Sequence, residues 1–454
     1  MHSPVRCAKI RDVKKSQHQL GRRTFLGLGG SAGLFGLAGC AGFPAILSSR
    51  SPNAKVCHAA IGTGNQAQED LTGISTHPDV EITALCDVDA DYLAAAKRRF
   101  PSARVYRDWR ELLAAEGDRI DSVNVSVPDH QHTVIAAAAM RAGRHCYLEK
   151  PLCKTIAEAR LLRRIARETG LCTQMGTQWH AKDADRETVA VLGSGMLGPV
   201  EHAWLFSTRA AESRKRRVLP PVAPVPASLD WRLWLDGVAD RPFRAGVYHP
   251  RVWRIWRDLG SGWIGDLCIH VFTALWAGMR LNDTKCLDAV AEVMHDCEPA
   301  IQDQVWPNAS HITWHFPGVP ASGGKPFTVE WLDGIDQEGS PLAPASFRPS
   351  AEIDRLWKLT PIGRRPFEGK AVKCRGGWLL QPHSDTLHAY VVRPGDIVEQ
   401  APALPPCPSH YHEFIDCVKD GGVCSTDFAW STCMQEAVSL GEAAELRPGV
   451  VLKT

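Results

Sequence analysis

Residues 55–67 read KVCHAAIGTGNQA, and this stretch decides the fold. An apolar run ends in Gly62, Gly64 and Ala67, which form a G-x-G-x-x-A pattern ahead of a helix-like segment. Glycines there permit a tight turn and a close approach of the backbone to a pyrophosphate at a helix N-terminus. Asp87 ends the next apolar run, where a carboxylate would bind ribose hydroxyls and repel the extra phosphate of NADP. The pattern therefore predicts a dinucleotide site that takes NAD, with NADP less favoured.

Apolar runs alternate with helix-like segments from this stretch to about residue 178. Such alternation predicts βαβ units, and right-handed crossovers make the resulting parallel sheet doubly wound. Beyond this point, apolar runs separated by Gly, Pro and Ser predict antiparallel strands. We therefore expect an α/β fold with a Rossmann domain at residues 55–178. Residues 179–454 are expected to form an α/β domain with an open, mostly antiparallel sheet.

The composition is that of an ordinary globular protein with enough residues for two cores. The 454 residues include 52 Lys plus Arg and 50 Asp plus Glu, so no basic surface for nucleic acid is expected. The chain has 15 cysteines. Cys57, Cys86, Cys146 and Cys172 lie in apolar runs, where a small buried side chain is the usual role. We therefore expect no disulfide framework.

The first 50 residues have the layout of a twin-arginine export signal. A basic stretch leads to Arg22 and Arg23, and a Gly-, Ala- and Leu-rich segment follows. Cys40 lies in a lipobox-like LAGC, where it would be acylated and become the mature N-terminus. The alternatives are an amphipathic N-terminal helix, cleavage nearby, or a retained anchor. The signal predicts a periplasmic protein, with a lipid anchor at Cys40 as one outcome.

Five motifs carry a family resemblance. IGTGNQA, LCDVD, VSVPDHQH, AGRHCYLEKP and GSGWIGDLCIH, in this order and spacing, resemble the Gfo/Idh/MocA family of NAD(P)-dependent sugar and polyol oxidoreductases. The resemblance implies that Glu149 and Lys150 end the fifth Rossmann strand and that Lys150 lies in the active site beside the nicotinamide. It also implies that Pro128, His132 and Glu149 line the cofactor cleft.

Asp266 and His270 form the second anchor of the expected active site. Their i, i+4 spacing would put the carboxylate and the imidazole on one face of a helix. The resemblance implies that His270 accepts the hydroxyl proton and that Asp266 contacts substrate. A histidine suits this base role, and Lys150 would stabilise the developing alkoxide. The alternative is an Asp/His pair on a helix surface.

Three other groups of residues are weaker candidates. Asp129, His130 and His132 resemble metal ligands, but a third ligand cluster is missing, so we expect no metal. The resemblance implies that Trp179 and His180 contact nicotinamide or substrate, and a buried structural pair is the alternative. Arg254 stands among tryptophans close in sequence to the second anchor and would suit sugar rings, although tryptophans at such spacing are more often core.

Together these patterns predict an exported NAD-dependent oxidoreductase that acts on a secondary hydroxyl of a sugar, glycoside or polyol. Because free NAD is not expected outside the cytoplasm, we expect the cofactor to be loaded before export and to stay bound. The first alternative is a redox-assisted glycosidase or lyase, in which the hydride returns to the same sugar. The second is a sugar-binding lipoprotein without chemistry. For the oxidoreductase, the family resemblance implies that oligomerisation buries the face of the second sheet, so a homodimer or homotetramer is expected.

Overall fold

The protein is described here by a computed structural model that covers residues 54–208, 219–334, 344–383 and 387–454. The predicted export signal, with Arg22, Arg23 and the lipidation site Cys40, lies outside these residues. Within the described residues, no helix is long and apolar enough to cross a membrane.

The first half of the chain forms a six-stranded parallel sheet with the order β3-β2-β1-β4-β5-β6. Its strands are β1 (Val56–Ile61), β2 (Val80–Cys86), β3 (Arg104–Tyr106), β4 (Ser122–Val125), β5 (His145–Glu149) and β6 (Thr173–Gly176). The crossover helices are α1 (Gln66–Ser75), α2 (Ala90–Arg99), α3 (Trp109–Glu116), α4 (Asp129–Arg141) and α5 (Ile156–Thr169). The order reverses between β1 and β4, which confirms the predicted doubly wound Rossmann sheet.

Capping residues mark the ends of several Rossmann helices. Asp89, Asp108 and Thr155 precede α2, α3 and α5, and each side chain accepts a hydrogen bond from a backbone N–H of the first turn. Helix α5 ends at Gly170, whose φ of 64° is left-handed and suits a residue without a Cβ. Asp89 is thus the N-cap of α2.

The second half of the chain forms a nine-stranded sheet with the order β14-β13-β12-β11-β7-β10-β9-β8-β15. The strands are β7 (Val200–Ser207), β8 (Asp288–Met294), β9 (Ala309–Phe316), β10 (Phe327–Asp333), β11 (Glu368–Cys374), β12 (Gly377–Pro382), β13 (Tyr390–Arg393), β14 (Ile397–Gln400) and β15 (Leu452–Lys453). Strands β7 and β10 pair in parallel, and the other pairs are antiparallel. The prediction of a mostly antiparallel second sheet is therefore confirmed.

Helices pack on both faces of the second sheet. The helices of this half are α6 (Asp183–Ser194), α7 (Trp231–Leu235), α8 (Ile269–Met279), α9 (Pro299–Gln302), α10 (Ala351–Leu359), α11 (His410–Asp420) and α12 (Phe428–Glu445). The indole of Trp314 on β9 donates to the carbonyl of Ala437 on α12, which ties this long helix to the sheet. On the opposite face, Phe206 packs with Trp357 of α10. Both sheets belong to one compact body, and the predicted boundary between residues 178 and 179 stays a prediction.

Residues 219–259, which we name the cap segment, extend from the second half onto the Rossmann sheet. Their backbone joins the end of β2, since the Asp230 N–H donates to the Val88 carbonyl at 2.9 Å. The Ala90 N–H donates in return to the Ser228 carbonyl at 2.8 Å. A separate apolar cluster holds the segment together; it comprises Leu229, Trp234, Leu235, Phe243, Val247, Tyr248, Trp253, Trp256, Leu259 and the neighbouring Val305. The tryptophans near Arg254 are therefore mostly core, the alternative considered from the sequence.

Candidate active site

The glycine-rich turn lies between β1 and α1, at the point where the strand order reverses. Gly62 has a φ of +91°, and a Cβ there would lie 2.2 Å from the carbonyl oxygen of Ser126, so only glycine fits. A Cβ on Gly64 would lie 2.4 Å from the ring of Tyr92. Ala67 is fully buried in α1. The first two residues thus shape the turn, and Ala67 packs the helix against the sheet.

Asp87 organises the same turn from the end of β2. Its Oδ2 accepts from the Thr63 N–H at 2.8 Å and from the Thr63 hydroxyl at 3.0 Å, and its Oδ1 accepts from the Asp89 N–H at 2.8 Å. Burial raises the pKa of Asp87, and these hydrogen bonds oppose the shift. A carboxylate with two oxygens can still accept further bonds from ribose hydroxyls. Asp87 therefore supports the loop and faces the cavity beside it.

A cavity runs along these carboxyl strand ends. The predicted residues that line it are Gly62, Gly64, Asp87, Pro128, Glu149, Lys150 and Arg254. The other predicted residues do not belong to this lining; they are Ala67, His132, Trp179, His180, Asp266 and His270. The cap segment contributes Leu233, Trp234, His249, Pro250, Trp253 and Arg254. One continuous space therefore joins the glycine-rich turn to Lys150, with the cap segment along its side.

Lys150, Asp266 and Arg254 form an ionic cluster at one end of the cavity. The Lys150 Nζ donates to Asp266 Oδ1 at 2.6 Å and to the Asp266 carbonyl at 2.9 Å. The Arg254 Nε donates to the same Oδ1 at 3.1 Å. Burial alone would raise the pKa of Asp266, but the two cations outweigh it and hold that pKa well below its usual value. Asp266 therefore stays ionised and fixes the ammonium of Lys150 at the cavity wall.

The chain around Asp266 differs from the predicted α-helix. Ile264–Cys268 is a π-helical turn, and α8 begins only at Ile269. Gly265 permits the tight packing of this turn, because a Cβ there would lie 2.2 Å from the Cβ of Ser261. A π-helical turn is a common local distortion at functional sites. The prediction of a regular helix through Asp266 was therefore wrong, because the spacing does not reveal the extra residue in the turn.

His270 lies in the first turn of α8 and is buried. Its Nδ1 is 3.4 Å from the Thr177 hydroxyl, and its ring centroid is 5.6 Å from that of His383. Burial, followed by the charge of Lys150, holds the pKa of His270 well below its ordinary value. The imidazole is therefore neutral at neutral pH, which is the form that can accept a proton.

Asp70, which was not predicted from the sequence, forms a buried carboxyl pair with Glu149, the residue before Lys150. Asp70 on α1 accepts from the Ser126 hydroxyl at 2.6 Å and from the Tyr411 hydroxyl at 3.1 Å. Gln178 bridges the pair, because its amide donates to Glu149 at 2.5 Å and lies 3.4 Å from Asp70. Burial raises the pKa of both carboxyl groups, and the charge of Asp70 raises that of Glu149 further. Each carboxyl group of the pair therefore loses its proton less readily than an exposed carboxyl group would. An acid in the middle of an otherwise buried helix face was the available signal.

The remaining predicted residues have structural contacts. The ring nitrogens of His132 lie 2.6 Å from the Pro151 carbonyl and 2.8 Å from the Val127 carbonyl, so this residue ties together the loops after β4 and β5. The ring of Trp179 lies 3.8 Å from that of His383. Burial lowers the pKa of His180 to about 4, so this imidazole is neutral. Trp179 and His270 thus share His383 as a neighbour, His180 lies beside Trp430, and neither Trp179 nor His180 belongs to the cavity lining.

Asp129 and His130, considered from the sequence as metal ligands, also have protein partners. Asp129 accepts from the Ser261 N–H at 3.0 Å, and His130 Nε2 lies 3.0 Å from the Trp234 carbonyl. Across the part of the chain that the structure describes, no group of three or more His, Cys, Asp or Glu side chains is placed to hold a metal ion.

The fold and the cavity define a two-sheet protein of the dinucleotide-binding Rossmann class. Residues 57–177 match the Gfo/Idh/MocA family model, which is described as "Oxidoreductase family, NAD-binding Rossmann fold". The chain is 29% identical over 140 residues to the D-apiose dehydrogenase of Paraburkholderia graminis, covering 31% of this chain and 37% of that protein. It is 34% identical over 151 residues to a glycosyl hydrolase family 109 protein of Solibacter usitatus, covering 30% and 34%. The matched region thus spans well under half the length of these relatives.

Solved structures share the fold over nearly the whole described chain. The aldose-aldose oxidoreductase of Caulobacter crescentus, complexed with glycerol, has a TM-score of 0.59 at 15% identity and covers 88% of this chain and 100% of its own. A levoglucosan dehydrogenase in complex with NADH and levoglucosan has a TM-score of 0.59 at 14% identity, covering 88% and 99%. At such identities the likeness concerns the fold, including the second sheet.

Proposed function

We propose that this protein is an exported NAD-dependent oxidoreductase that moves a hydride between a secondary hydroxyl of a sugar, glycoside or polyol and a tightly held NAD. The observation that carries the proposal is the single cavity that joins Gly62 and Asp87 to Lys150. Its lining, which includes both the glycine-rich turn and Lys150, suits a dinucleotide with a substrate at the lysine end. The dehydrogenases among its relatives, for D-apiose and levoglucosan, make a carbohydrate the favoured substrate class.

Bound NAD would supply the hydride acceptor, and the residues of this chain would handle the substrate oxygen and its proton. Asp266 holds the Lys150 ammonium in place, so Lys150 can donate a hydrogen bond to the hydroxyl oxygen and stabilise the charge that develops there. Neutral His270 would accept the hydroxyl proton. Arg254, anchored on the same carboxylate, would orient neighbouring hydroxyls.

We expect the same site to favour NAD over NADP and to release the bound cofactor slowly. Asp87 lines the cavity and would repel a phosphate on the adenosine ribose. The cap segment covers the side of the cavity, and Gln131 on α4 fastens it by donating to the carbonyls of Leu233 and Trp234 at 3.0 and 2.8 Å. A covered cofactor would leave slowly, which suits a protein that is loaded before twin-arginine export.

Two further properties belong to the proposal. The chain would act in the periplasm, with acylation of Cys40 as a route to a membrane anchor. It would also form a dimer or tetramer through the face of the second sheet that carries His202, His311 and Glu330. These half-buried side chains form a hydrogen-bonded cluster, with the histidine Nε2 atoms 2.5 and 2.7 Å from the Glu330 oxygens. Light scattering on the purified chain measures the oligomeric state directly.

A redox-assisted glycosidase is the second candidate. It is favoured by the 34% identity between this chain and the glycosyl hydrolase family 109 protein of Solibacter usitatus. In that reaction, oxidation would acidify the neighbouring C–H and permit elimination of the glycoside before the hydride returns. A sugar-binding lipoprotein without chemistry is less favoured, because Lys150, Asp266 and Arg254 form a complete ionic cluster at the cavity.

The deciding experiment begins with protein purified after export. Extracted nucleotide is measured first, and a panel of glycosides and polyols is then added while the absorbance of reduced nicotinamide and the release of free sugar are followed. Lasting reduction of bound NAD supports the oxidoreductase. Oxidised NAD with release of free sugar supports the glycosidase. Absence of bound nucleotide would contradict both enzymes, and unchanged activity in Lys150→Ala would revive the binding protein.

A further inference from the structure

Three cysteines meet where the C-terminal helices pack on the Rossmann sheet. Cys172 immediately precedes β6, and Cys424 lies in the turn between α11 and α12. Their Sγ atoms are 3.4 Å apart, although 252 residues separate them in sequence. Both side chains are buried. Cys417, in the third turn of α11, contacts Cys424 and is only half-buried.

We propose that Cys172 and Cys424 are an oxidation site that becomes a disulfide, with Cys417 as the thiol through which oxidation enters. A disulfide requires the two sulfur atoms to approach to about 2.05 Å, an additional movement of about 1.4 Å. A small change of the two χ1 angles produces a movement of this size. The proposal revises the sequence-based expectation that Cys172 is only a small buried side chain.

The oxidant is a low-molecular-weight or protein disulfide, for which glutathione disulfide is the probe. The Cys417 thiolate attacks it, forms a mixed disulfide and releases one glutathione. Cys424 attacks the Cys417 sulfur and releases the second glutathione, and Cys172 then attacks Cys424 and returns Cys417 to the thiol. Two thiol protons and two electrons leave the protein, and two molecules of reduced glutathione form.

The cross-link would secure a weak point of the fold. Strand β6 is at the edge of the Rossmann sheet. The segment after Cys424 covers this edge, since the Met175 N–H donates to the Thr426 carbonyl at 2.9 Å and the Phe428 N–H donates to the Thr173 hydroxyl at 3.0 Å. Joining Cys172 to Cys424 would hold the cover against the edge strand and restrict the unfolded chain.

The test uses the full chain, purified under reduction and then incubated with glutathione disulfide. Samples are unfolded in N-ethylmaleimide and digested with trypsin without reduction. We expect a peptide of residues 168–182 linked to the peptide that carries residues 420–453, with Cys433 in the latter alkylated. The oxidised protein should unfold about 5 °C or more above the reduced protein. Because burial raises the pKa of Cys417 to about 12, the reaction should accelerate as the pH rises.

Three variants separate the steps. Cys424→Ala should abolish the linked peptide, Cys417→Ala should slow its formation at least tenfold, and Cys407→Ala, which removes an exposed cysteine, should change neither. Alkylation of Cys172 and Cys424 in the oxidised wild-type protein would overturn the proposal without reliance on a variant. An unchanged rate of disulfide formation in Cys417→Ala would overturn the proposal that oxidation enters through Cys417. Equal unfolding temperatures of the oxidised and reduced proteins would overturn the proposal that the disulfide stabilises the fold.

Discussion

Asp266→Asn is the sharpest test of the ionic cluster. The substitution preserves the shape of the side chain but removes the charge that Lys150 and Arg254 share at 2.6 and 3.1 Å. Two neighbouring cations would then lack their counter-ion in a mostly buried place. Removing one partner of a buried ion pair typically lowers the free energy of unfolding by about 3 to 5 kcal/mol. Because Asp266 is 18% exposed, we expect about 3 kcal/mol.

The variant should unfold several degrees below the wild type, and kcat/KM should fall about 100-fold, since a displacement of about 1 Å in the lysine has this effect. The matched control is Asp283→Asn, which breaks a 3.1 Å pair with Arg280 whose side chains are 80% and 56% exposed. It should change the free energy of unfolding by less than about 0.5 kcal/mol. Both variants are followed by thermal unfolding and by bound-nucleotide content.

The pH dependence provides a second readout. The folded pKa of Asp266 lies below its unfolded value, so its stabilisation is complete above about pH 4 and is lost as the pH falls toward the folded pKa. The difference in unfolding free energy between wild type and Asp266→Asn should therefore shrink on acidification. A variant with wild-type stability and kcat/KM would refute the reasoning, as would a difference that stays constant from pH 7 to the lowest pH at which both proteins fold.

Three further predictions concern the cofactor cleft. Gly62→Ala should yield protein with at least tenfold less bound nucleotide, because the new Cβ would collide with a backbone carbonyl. Gly195→Ala, at an open position with φ +68°, should retain the nucleotide. Extraction and chromatography measure the bound nucleotide of both variants. Asp87→Ser should raise the affinity for NADP relative to NAD about tenfold or more, measured by titration of nucleotide-free protein, and an unchanged ratio would count against the ribose role. Trp234→Ala should loosen the cap segment and so accelerate the release of bound nucleotide in a dilution assay. Unchanged release would contradict a role of the cap segment in retention.

The Rossmann half was predictable because its signals are local. The strand, glycine turn, helix and acid of residues 55–87 occur in sequence order, and the turn chemistry of Gly62 depends on a neighbouring strand that the same pattern predicts. Lys150 directly follows a recognisable strand, but its place in the active site was implied by the family resemblance. The same resemblance indicated its partner Asp266, and the ion pair between them joins positions 116 residues apart.

The rest depends on contacts that leave no local pattern. Asp70 receives the Tyr411 hydroxyl from 341 positions away, and a lone acid on α1 gives no hint of that partner. The cap segment is attached to β2 through backbone groups of Val88 and Asp230, which every residue carries, so its composition could not reveal where it docks. The proximity of Cys172 and Cys424 is similarly a product of tertiary packing.

Under the proposed function, the cap segment would give the two ends of the cavity different exchange properties. Nucleotide release along the capped side would require breaking the Arg110–Asp236 pair, the 3.1 Å contact between His249 and Asp89, and the hydrogen bonds that Gln131 donates to the segment. A sugar needs access only to the Lys150 end. Slow cofactor release can therefore coexist with rapid substrate exchange, which both enzyme proposals require. The oxidoreductase and the redox-assisted glycosidase then differ only in whether the hydride returns to the molecule from which it came. The redox state of the bound cofactor during turnover therefore distinguishes the two proposals, whereas retention of the cofactor does not.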